Sequence, residues 1–344
     1  MKVKEDYKTK IVSSPSYNFI FSKVDGFMMR WGETKDTDPI YSPFGPEHID
    51  VEITDICFGP LGDGKVCAYC YKNNHTTGNY MQFDTFKHIF DTLPKTVTQI
   101  AFGVDAQCIT NPDTFKIMHY CRNKGVVPNV TVANINDETA DKLANVCGAV
   151  AVSLHHDKDV CYNSIKKLTD RGMKQTNMHV VICNETLHNV YDVIEDYING
   201  DKRLEKLNAI VLLSLKQKGR GSKYTPLTQN QFNELFEYAM KYNIPLGMDS
   251  CSCTKLMKAV ENCPNKKDIE TLSDPCESGI FSWYINTYGF GFPCSFTEGE
   301  GEWNKGIDLK NNIDFLNDVW YSEDVIQWRD NLLKIGRKCP VFNV

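Results

Sequence analysis

Between residues 50 and 250, short apolar runs alternate with longer stretches in which apolar residues recur every three or four positions. The short runs are bounded by turn-forming residues, so they are typical of buried β-strands. The predicted strands are Val51–Ile56, Gln99–Gly103, Asn129–Ala133, Ala149–Leu154, Met178–Cys183, Ala209–Leu215 and Ile244–Met248.

Each of the first six runs is followed by a stretch with helical spacing. Asp113 and Asp137 are candidate N-caps, and Gly125 and Gly172 are candidate helix ends. The predicted helices are Phe83–Leu93, Asp113–Lys124, Asp137–Val146, Lys158–Arg171, Leu187–Tyr197 and Thr228–Tyr242.

Strands that alternate with helices indicate a parallel sheet made of right-handed βαβ units. Six such units predict an α/β fold, a partial (β/α)6-type TIM barrel over residues 49–248. In barrels of this type the chemistry takes place at the C-terminal ends of the strands. Polar residues and cysteines just after each predicted strand are therefore the candidates for a functional site.

The two flanks of the barrel lack this alternation. Residues 1–48 mix prolines with aromatic residues and predict an irregular, ordered N-terminal wrap. Residues 249–344 contain a predicted hairpin, Phe281–Cys294 with Gly289 at its turn, and a last helix, Ser322–Lys334. They predict a small C-terminal domain of a β-hairpin and helices.

The composition excludes several classes of protein. A hydrophobic fraction of 42% excludes disorder for most of the chain, and no apolar run is long enough to span a membrane. The charged start, MKVKEDYKTK, is unlike a secretory signal, so we expect a cytoplasmic location. The net charge of −6 argues against nucleic acid as a partner.

The chain contains 14 cysteines, which is the most unusual feature of its composition. In a reducing compartment, clustered cysteines more often bind metal or carry out redox chemistry than form disulfides. Five of them lie in predicted strands and helices and are interpreted as small buried apolar residues: Cys108, Cys121, Cys147, Cys161 and Cys183.

Three cysteines follow the first predicted barrel strand, and we name them the first cysteine site: Cys57, Cys67 and Cys70. A closed structural zinc site requires four ligands, and a [4Fe–4S] cluster offers four irons. Three thiolates would therefore leave one iron open to a substrate or cofactor. A structural zinc site with a distant fourth ligand is the alternative.

The spacing of these residues resembles the radical S-adenosylmethionine (SAM) superfamily. The superfamily pattern is Cys-x3-Cys-x2-Cys after the first barrel strand, often with an aromatic residue before the last cysteine. Cys67-Ala68-Tyr69-Cys70 matches its second half, whereas nine residues separate Cys57 from Cys67. The insertion, FGPLGDGKV, contains three glycines that allow it to loop out.

The resemblance implies that the open iron chelates SAM and reductively cleaves it to methionine and a 5′-deoxyadenosyl radical, which abstracts a hydrogen atom from the substrate. Phe102-Gly103-Val104-Asp105 occupies the place of the Gly-Gly-Glu-like SAM motif. For Asp105, a role as a loop cap is the alternative. The implied SAM contacts are Tyr69, Gly103, Asp105, Asn134 and Ser153.

Two further residues are candidates because of their position. His179, in the fifth predicted strand, is expected to bind substrate or relay a proton, and a buried core histidine is the alternative. Lys216 begins a run of three cations and two glycines after the sixth strand, and this run suits a carboxylate or phosphate. A solvated basic loop is the alternative there.

A second constellation, the second cysteine site, consists of Cys251, Cys276, Cys294 and Cys339. Together with the predicted hairpin it resembles the SPASM/twitch extension of radical SAM enzymes, which implies an auxiliary [4Fe–4S] cluster with four thiolate ligands. Cys253 or Cys263 could replace Cys251, and a zinc site also accepts four thiolates.

The resemblance implies a radical SAM enzyme that abstracts hydrogen, most often from a peptide or protein side chain in relatives with auxiliary clusters. It also implies a low-potential electron donor such as a flavodoxin or ferredoxin. A nucleotide or small-metabolite substrate is an alternative, and a non-catalytic structural zinc or iron–sulfur protein is the competing class.

Overall fold

The N-terminal region forms a four-stranded antiparallel sheet in this computed structural model, which describes residues 1–311 and 314–344. The predicted irregular wrap is therefore wrong in its local structure. The strands have only four or five residues each, and the turns between them interrupt the alternating pattern that reveals a strand. They are β1 (Lys2–Glu5), β2 (Thr9–Ser13), β3 (Asn18–Ser22) and β4 (Met28–Trp31).

The central region is a curved sheet of seven parallel strands that follow one another in sequence order. Six helices connect them, which confirms the predicted partial (β/α)6 barrel. The strands are β5 (His48–Glu52), β6 (Gln99–Gly103), β7 (Val127–Val132), β8 (Val150–Ser153), β9 (Thr176–Ile182), β10 (Ala209–Ser214) and β11 (Leu246–Met248). The helices are α1 (Phe83–Thr92), α2 (Thr114–Asn123), α3 (Asp137–Val146), α4 (Lys158–Asp170), α5 (Leu187–Ile198) and α6 (Gln229–Lys241).

Sequential strand order and right-handed crossovers place all six helices on one side of the sheet. Ile49 and Val51 of β5 face these helices and are buried in the main core. Asp50 lies between them on the opposite face, where Ala101 and Gly103 of β6 are also exposed. This opposite face is the interior of the barrel, and its exposed positions leave room for a ligand.

Most helix boundaries follow the predicted signals. Gly125 and Gly172 both adopt a φ of 81° just after helices α2 and α4, as predicted for helix ends. The N-cap of α3 is Asn136, whose side chain accepts from the Thr139 amide at 2.8 Å, so Asp137 is the first helical residue. Among the described residues, no helix is long and apolar enough to cross a membrane.

The C-terminal region continues the barrel sheet. Its first strand pairs in parallel with β5, and the predicted hairpin and its turn at Gly289 are confirmed. The Asn286 side chain fixes the turn by accepting from the amides of Tyr288 at 3.0 Å and Phe290 at 2.9 Å. The elements are β12 (Ser282–Ile285), β13 (Phe290–Phe292), β14 (Ile307–Asp308), α7 (Cys253–Ala259), α8 (Lys266–Thr271) and α9 (Glu323–Lys334).

A separate apolar cluster joins the N-terminal sheet to the rest of the molecule. Phe19 and Phe21 of β3 pack with Val127 of β7, Phe281 before β12 and Leu332 of α9. The cluster therefore contains side chains from the N-terminal sheet, the barrel and the C-terminal region. Burial of such large apolar side chains is what holds the three regions in one unit.

A buried ion pair reinforces this junction and yields a stability prediction. The Arg30 guanidinium is 2.7 Å from the carboxylate of Glu47, which is 1% exposed. Arg30→Met would leave this carboxylate without its cation, so we expect the free energy of unfolding to fall by about 3–5 kcal/mol in urea titrations. Lys142→Met, which breaks an exposed pair with Glu138, should leave the free energy of unfolding nearly unchanged. Equal losses in the two variants would contradict the prediction.

Candidate functional site

A backbone hydrogen bond joins the two ends of the loop that carries the first cysteine site. The Cys57 amide donates to the His75 carbonyl at 2.7 Å, and this pairing returns the chain to the barrel. Gly59, Gly62 and Gly64 all have positive φ. A Cβ at Gly59 would lie 1.9 Å from the Lys65 carbonyl oxygen, so only glycine fits this turn. The insertion loops out as its glycines predict.

The loop brings the three thiols of the first cysteine site close enough to affect one another's pKa. Burial, with smaller contributions from the Cys70 and Cys57 thiols, raises the pKa of Cys67 to about 12. The Gly59 amide donates to the Cys57 sulfur at 3.4 Å, and the Tyr69 amide interacts with the Cys67 sulfur and lowers its pKa. Amide donors of this kind stabilise thiolates, which is the form that binds metal.

Arg220 positions this loop from the opposite edge of the barrel. Its guanidinium donates to the Cys67 carbonyl at 2.7 Å, and to the Asn73 side chain and the Asn74 carbonyl at 3.0 Å each. Its own amide donates to the Cys70 carbonyl at 3.0 Å. Four contacts from one residue therefore fix the segment between the last two cysteines and Asn74.

A buried charge network joins the same loop to the C-terminal region. The Lys72 ammonium is 3.1 Å from the carboxylate of Glu52, at the end of β5, and also pairs with Glu298. The Tyr284 hydroxyl of β12 accepts from Lys72 at 2.6 Å and lies 3.1 Å from Glu52. Burial raises the pKa of Glu52, and Lys72 opposes this shift. No local pattern in the sequence indicates this network.

Tyr69 extends from the cysteine loop to the end of β8. Its hydroxyl donates to the Leu154 carbonyl at 2.8 Å and is 2.9 Å from Nδ1 of His155. The two rings are stacked, with centroids 5.6 Å apart and planes 13° apart. Burial lowers the pKa of His155 to about 4, so this imidazole is neutral at pH 7. His155 was not among the residues predicted from the sequence, although it directly follows a predicted strand.

Asp105 is fully engaged within its own loop. Its carboxylate accepts from the amides of Gln107, Ile109 and Thr110 at 2.9–3.1 Å, and from the Thr110 hydroxyl at 2.9 Å. With a side chain 1% exposed, it acts as a loop cap, and we do not retain it as a SAM contact. Gly103 lies on the interior face, where its Cβ would be 3.2 Å from the Glu52 Cα.

Ser153 and His179 lie side by side on the interior face of the barrel, because they are paired in register between β8 and β9. Burial lowers the pKa of His179 to about 4, and Asp249 opposes this shift. The imidazole is therefore neutral at pH 7 and can accept a proton or a hydrogen bond. Asn134 follows β7, and its amide donates to the Ala106 carbonyl at 3.1 Å.

The cations after β10, which the sequence predicts to suit a phosphate or carboxylate ligand, contact groups of the protein itself. Lys216 pairs with Asp249, and Lys218 donates to the carbonyls of Phe296 and Glu298 and to Glu300. Together with Arg220, all three cations therefore have partners within the protein. The sequence could not show this, because every partner is distant along the chain.

The second cysteine site closes the gap between the two ends of the curved sheet. Cys251 follows β11, the strand at one end of the sheet. Cys294 follows β13, which lies near the other end of the sheet, beyond β5 and β12. Burial and then the Cys251 and Cys276 thiols raise the pKa of Cys294, and the Cys339 thiol acts on Cys276 in the same direction. All four predicted thiols therefore interact electrostatically.

Donors also point at the sulfurs of this second site. The Phe296 amide donates to Cys294 at 3.4 Å, and the Phe342 amide donates to Cys339 at 3.3 Å. Cys253 interacts instead with Arg337 and Asp274. Within residues 1–311 and 314–344, no three His, Cys, Asp or Glu side chains are placed to bind a single metal ion. Both sites fit a thiolate-bound cluster for three reasons. Their candidate ligands are cysteines, the thiols within each site raise one another's pKa, and backbone amides donate hydrogen bonds to some of the sulfurs.

The fold is similar to that of SuiB from Streptococcus suis. SuiB bound to its precursor peptide SuiA matches with a TM-score of 0.71 at 13% identity, over 95% of this chain and 90% of that chain. SuiB bound to S-adenosylmethionine matches with a TM-score of 0.68 at 12% identity, over 94% and 89%. Neither a family model nor a curated protein matches the chain. This similarity confirms the α/β fold with a partial barrel that the sequence predicts.

The contacts of Arg220 predict a local effect on the first cysteine site. Arg220→Met removes three hydrogen bonds from a charged donor, each worth about 1.5–3 kcal/mol. We expect amide hydrogen exchange in residues 67–74 of the metal-free protein to increase at least about tenfold, as measured by mass spectrometry. Lys223→Met, a change of an exposed lysine in the same turn, should leave it unchanged. Unaltered exchange in the Arg220 variant would show that the loop is positioned by other contacts.

Proposed function

We propose that this protein is a radical SAM enzyme that reductively cleaves S-adenosylmethionine and abstracts a hydrogen atom from its substrate. The observation that carries the proposal is the position of three coupled thiols at the C-terminal end of the first strand of a radical SAM-type barrel. A cluster held by three cysteines keeps one iron free, and this iron would hold SAM.

The residues at the first site have two proposed roles: the cysteines bind the cluster, and neighbouring aromatic residues position a bound ligand. Cys57, Cys67 and Cys70 would hold a [4Fe–4S] cluster. When bound, this cluster would supply the electron that splits SAM into methionine and the 5′-deoxyadenosyl radical. Tyr69 and His155 form a stacked aromatic wall between the cysteine loop and the end of β8, where a planar group can pack.

The interior of the barrel would bind the substrate. Asp50, Ser153 and His179 lie on this face, and the second cysteine site covers its lateral gap. A covered interior excludes water, which would otherwise quench a reactive intermediate. The neutral imidazole of His179 is suited to accept a hydrogen bond or a proton from the substrate, and this is the role we assign to it.

The second site is proposed to hold an auxiliary [4Fe–4S] cluster through Cys251, Cys276, Cys294 and Cys339. Its support is the mutual interaction of the four thiols and their donors. Cys251 is preferred to Cys253 because it interacts with the Cys276 and Cys339 thiols. Four thiolates complete the coordination of a cluster, so this site would not bind SAM.

A peptide or protein side chain is the proposed substrate. The support is that SuiB, whose fold this chain shares, was solved with a precursor peptide bound. The nucleotide alternative depended on a basic loop for phosphate, and the cations of that loop are paired within the protein. The proposed reductant is a flavodoxin- or ferredoxin-like protein, and the proposed location is the cytoplasm.

The proposal predicts the iron content and the cleavage of SAM. After anaerobic reconstitution with iron and sulfide, we expect about eight irons per chain, four for each cluster, and formation of 5′-deoxyadenosine from SAM with a reductant. The triple variant Cys57→Ala, Cys67→Ala and Cys70→Ala should retain about four irons and form no deoxyadenosine. Iron analysis and chromatography of the products measure both quantities.

Cys263→Ala is the matched control, because this partly exposed cysteine lies outside both sites in our assignment. It should keep the full iron content and the full rate of cleavage. Zinc in place of iron would indicate the structural metal protein instead. A fully iron-loaded wild type that does not cleave SAM would refute the enzymatic proposal.

A further inference from the structure

Lys216 carries a positive charge into the second cysteine site. It follows β10, a barrel strand, and is 6% exposed. Its ammonium pairs with Asp249 and lies over the Phe296 ring, 4.8 Å from the ring centroid. Phe296 is also the residue whose amide donates to the Cys294 sulfur. The ammonium is therefore held within the layer of residues that surrounds the second cysteine site.

The anion that pairs with Lys216 belongs to the segment that carries Cys251. Asp249 lies two residues before Cys251, and its carboxylate also accepts from the Ser252 amide at 3.1 Å. The Lys216 ammonium therefore lies between this segment and Phe296, whose amide donates to the Cys294 sulfur. A positive charge is thus buried between the backbone segments of two proposed ligands.

The other cations of the loop differ from Lys216 in their contacts. Lys218 also contacts Phe296, through its carbonyl oxygen at 3.1 Å, and Arg220 contacts the backbone of the first cysteine loop. One short segment thus reaches both cysteine sites. Lys223, which is exposed in the same segment, is the matched control for Lys216.

We propose that Lys216 is a positioning residue that sets the reduction potential of the auxiliary cluster at the second cysteine site. The inference rests on the proposed function, because it requires a cluster at Cys251, Cys276, Cys294 and Cys339. It reassigns Lys216 from the ligand-binding role that the sequence suggested. The barrel thereby controls the redox properties of a site that the C-terminal region largely builds.

The physical reason is the charge of the site in its two redox states. A cluster with four thiolate ligands is an anion, and one-electron reduction adds a further negative charge. A nearby cation stabilises the more negative state more strongly, and the low dielectric of a buried site enlarges this difference. Net charge and hydrogen bonds at the sulfurs are the known determinants of cluster potentials. Removal of the cation should therefore make reduction harder.

The test is a redox titration of the second cluster alone, monitored by electron paramagnetic resonance. The background is the Cys57→Ala, Cys67→Ala and Cys70→Ala variant, which removes the first cluster. In this background, Lys216→Met should shift the midpoint to a more negative potential. We expect at least a tenfold change in the equilibrium between reduced and oxidised cluster, which is 59 mV for one electron.

Three further variants fix the interpretation. Lys216→Arg keeps the charge and should stay close to the parent potential, as should Lys223→Met. Asp249→Asn removes the anion that pairs with Lys216 and should shift the potential in the opposite direction. If Lys216→Met does not bind iron at the second site, the potential of Asp249→Asn alone tests the role of Lys216.

The outcomes separate the two proposals. An unchanged midpoint in iron-loaded Lys216→Met, or in Asp249→Asn when the first variant fails to load, overturns the role of Lys216. A background variant that binds no iron also overturns it, because no second cluster then exists. A wild type that carries both clusters but does not cleave SAM instead contradicts the proposed enzymatic function, and the potential shifts remain measurable.

Discussion

The buried ion network around Lys72 is the interaction on which the rest of the site depends. It places an ammonium from the cysteine loop between a carboxylate of β5 and one of the C-terminal region. Glu52 is buried and Glu298 is half-buried. A buried charge is costly unless it is paired and hydrogen-bonded, so the Lys72 ammonium favours the loop position in which it meets both carboxylates. The position of the first cysteine site is thus fixed by two regions that are distant in sequence.

The same constraint explains why the barrel and the C-terminal region form one unit. β12 of the C-terminal region pairs with β5 of the barrel, and β12 also supplies Tyr284 to the network. At the opposite end of the sheet, the segment after β10 contacts the first cysteine loop through Arg220 and the second site through Lys216. Both cysteine sites are therefore held between the two ends of one curved sheet, beside the interior that we propose as the substrate site.

The sequence predicted the parts of this structure that depend on local pattern. Strand Gln99–Gly103 and helix Asp137–Val146 have the predicted bounds, because burial and periodicity are local properties. The cysteines were grouped from a known family pattern, and the thiols within each proposed group interact electrostatically in the structure. The N-terminal sheet was missed because its strands are short, and the partners of Asp105 and Lys216 were missed because the sequence does not show which polar groups meet in space. The Lys72 network could not be foreseen for the same reason.

The first cysteine site is proposed to hold a cluster with one iron open to SAM. Electron–nuclear double resonance of the reduced protein, with SAM labelled at its amino nitrogen and carboxylate oxygen, tests this directly. We expect magnetic coupling of both labels to the cluster of the wild type, and loss of this coupling when Cys57, Cys67 and Cys70 are replaced by alanine. Absence of coupling in a wild type whose clusters are fully loaded would contradict it.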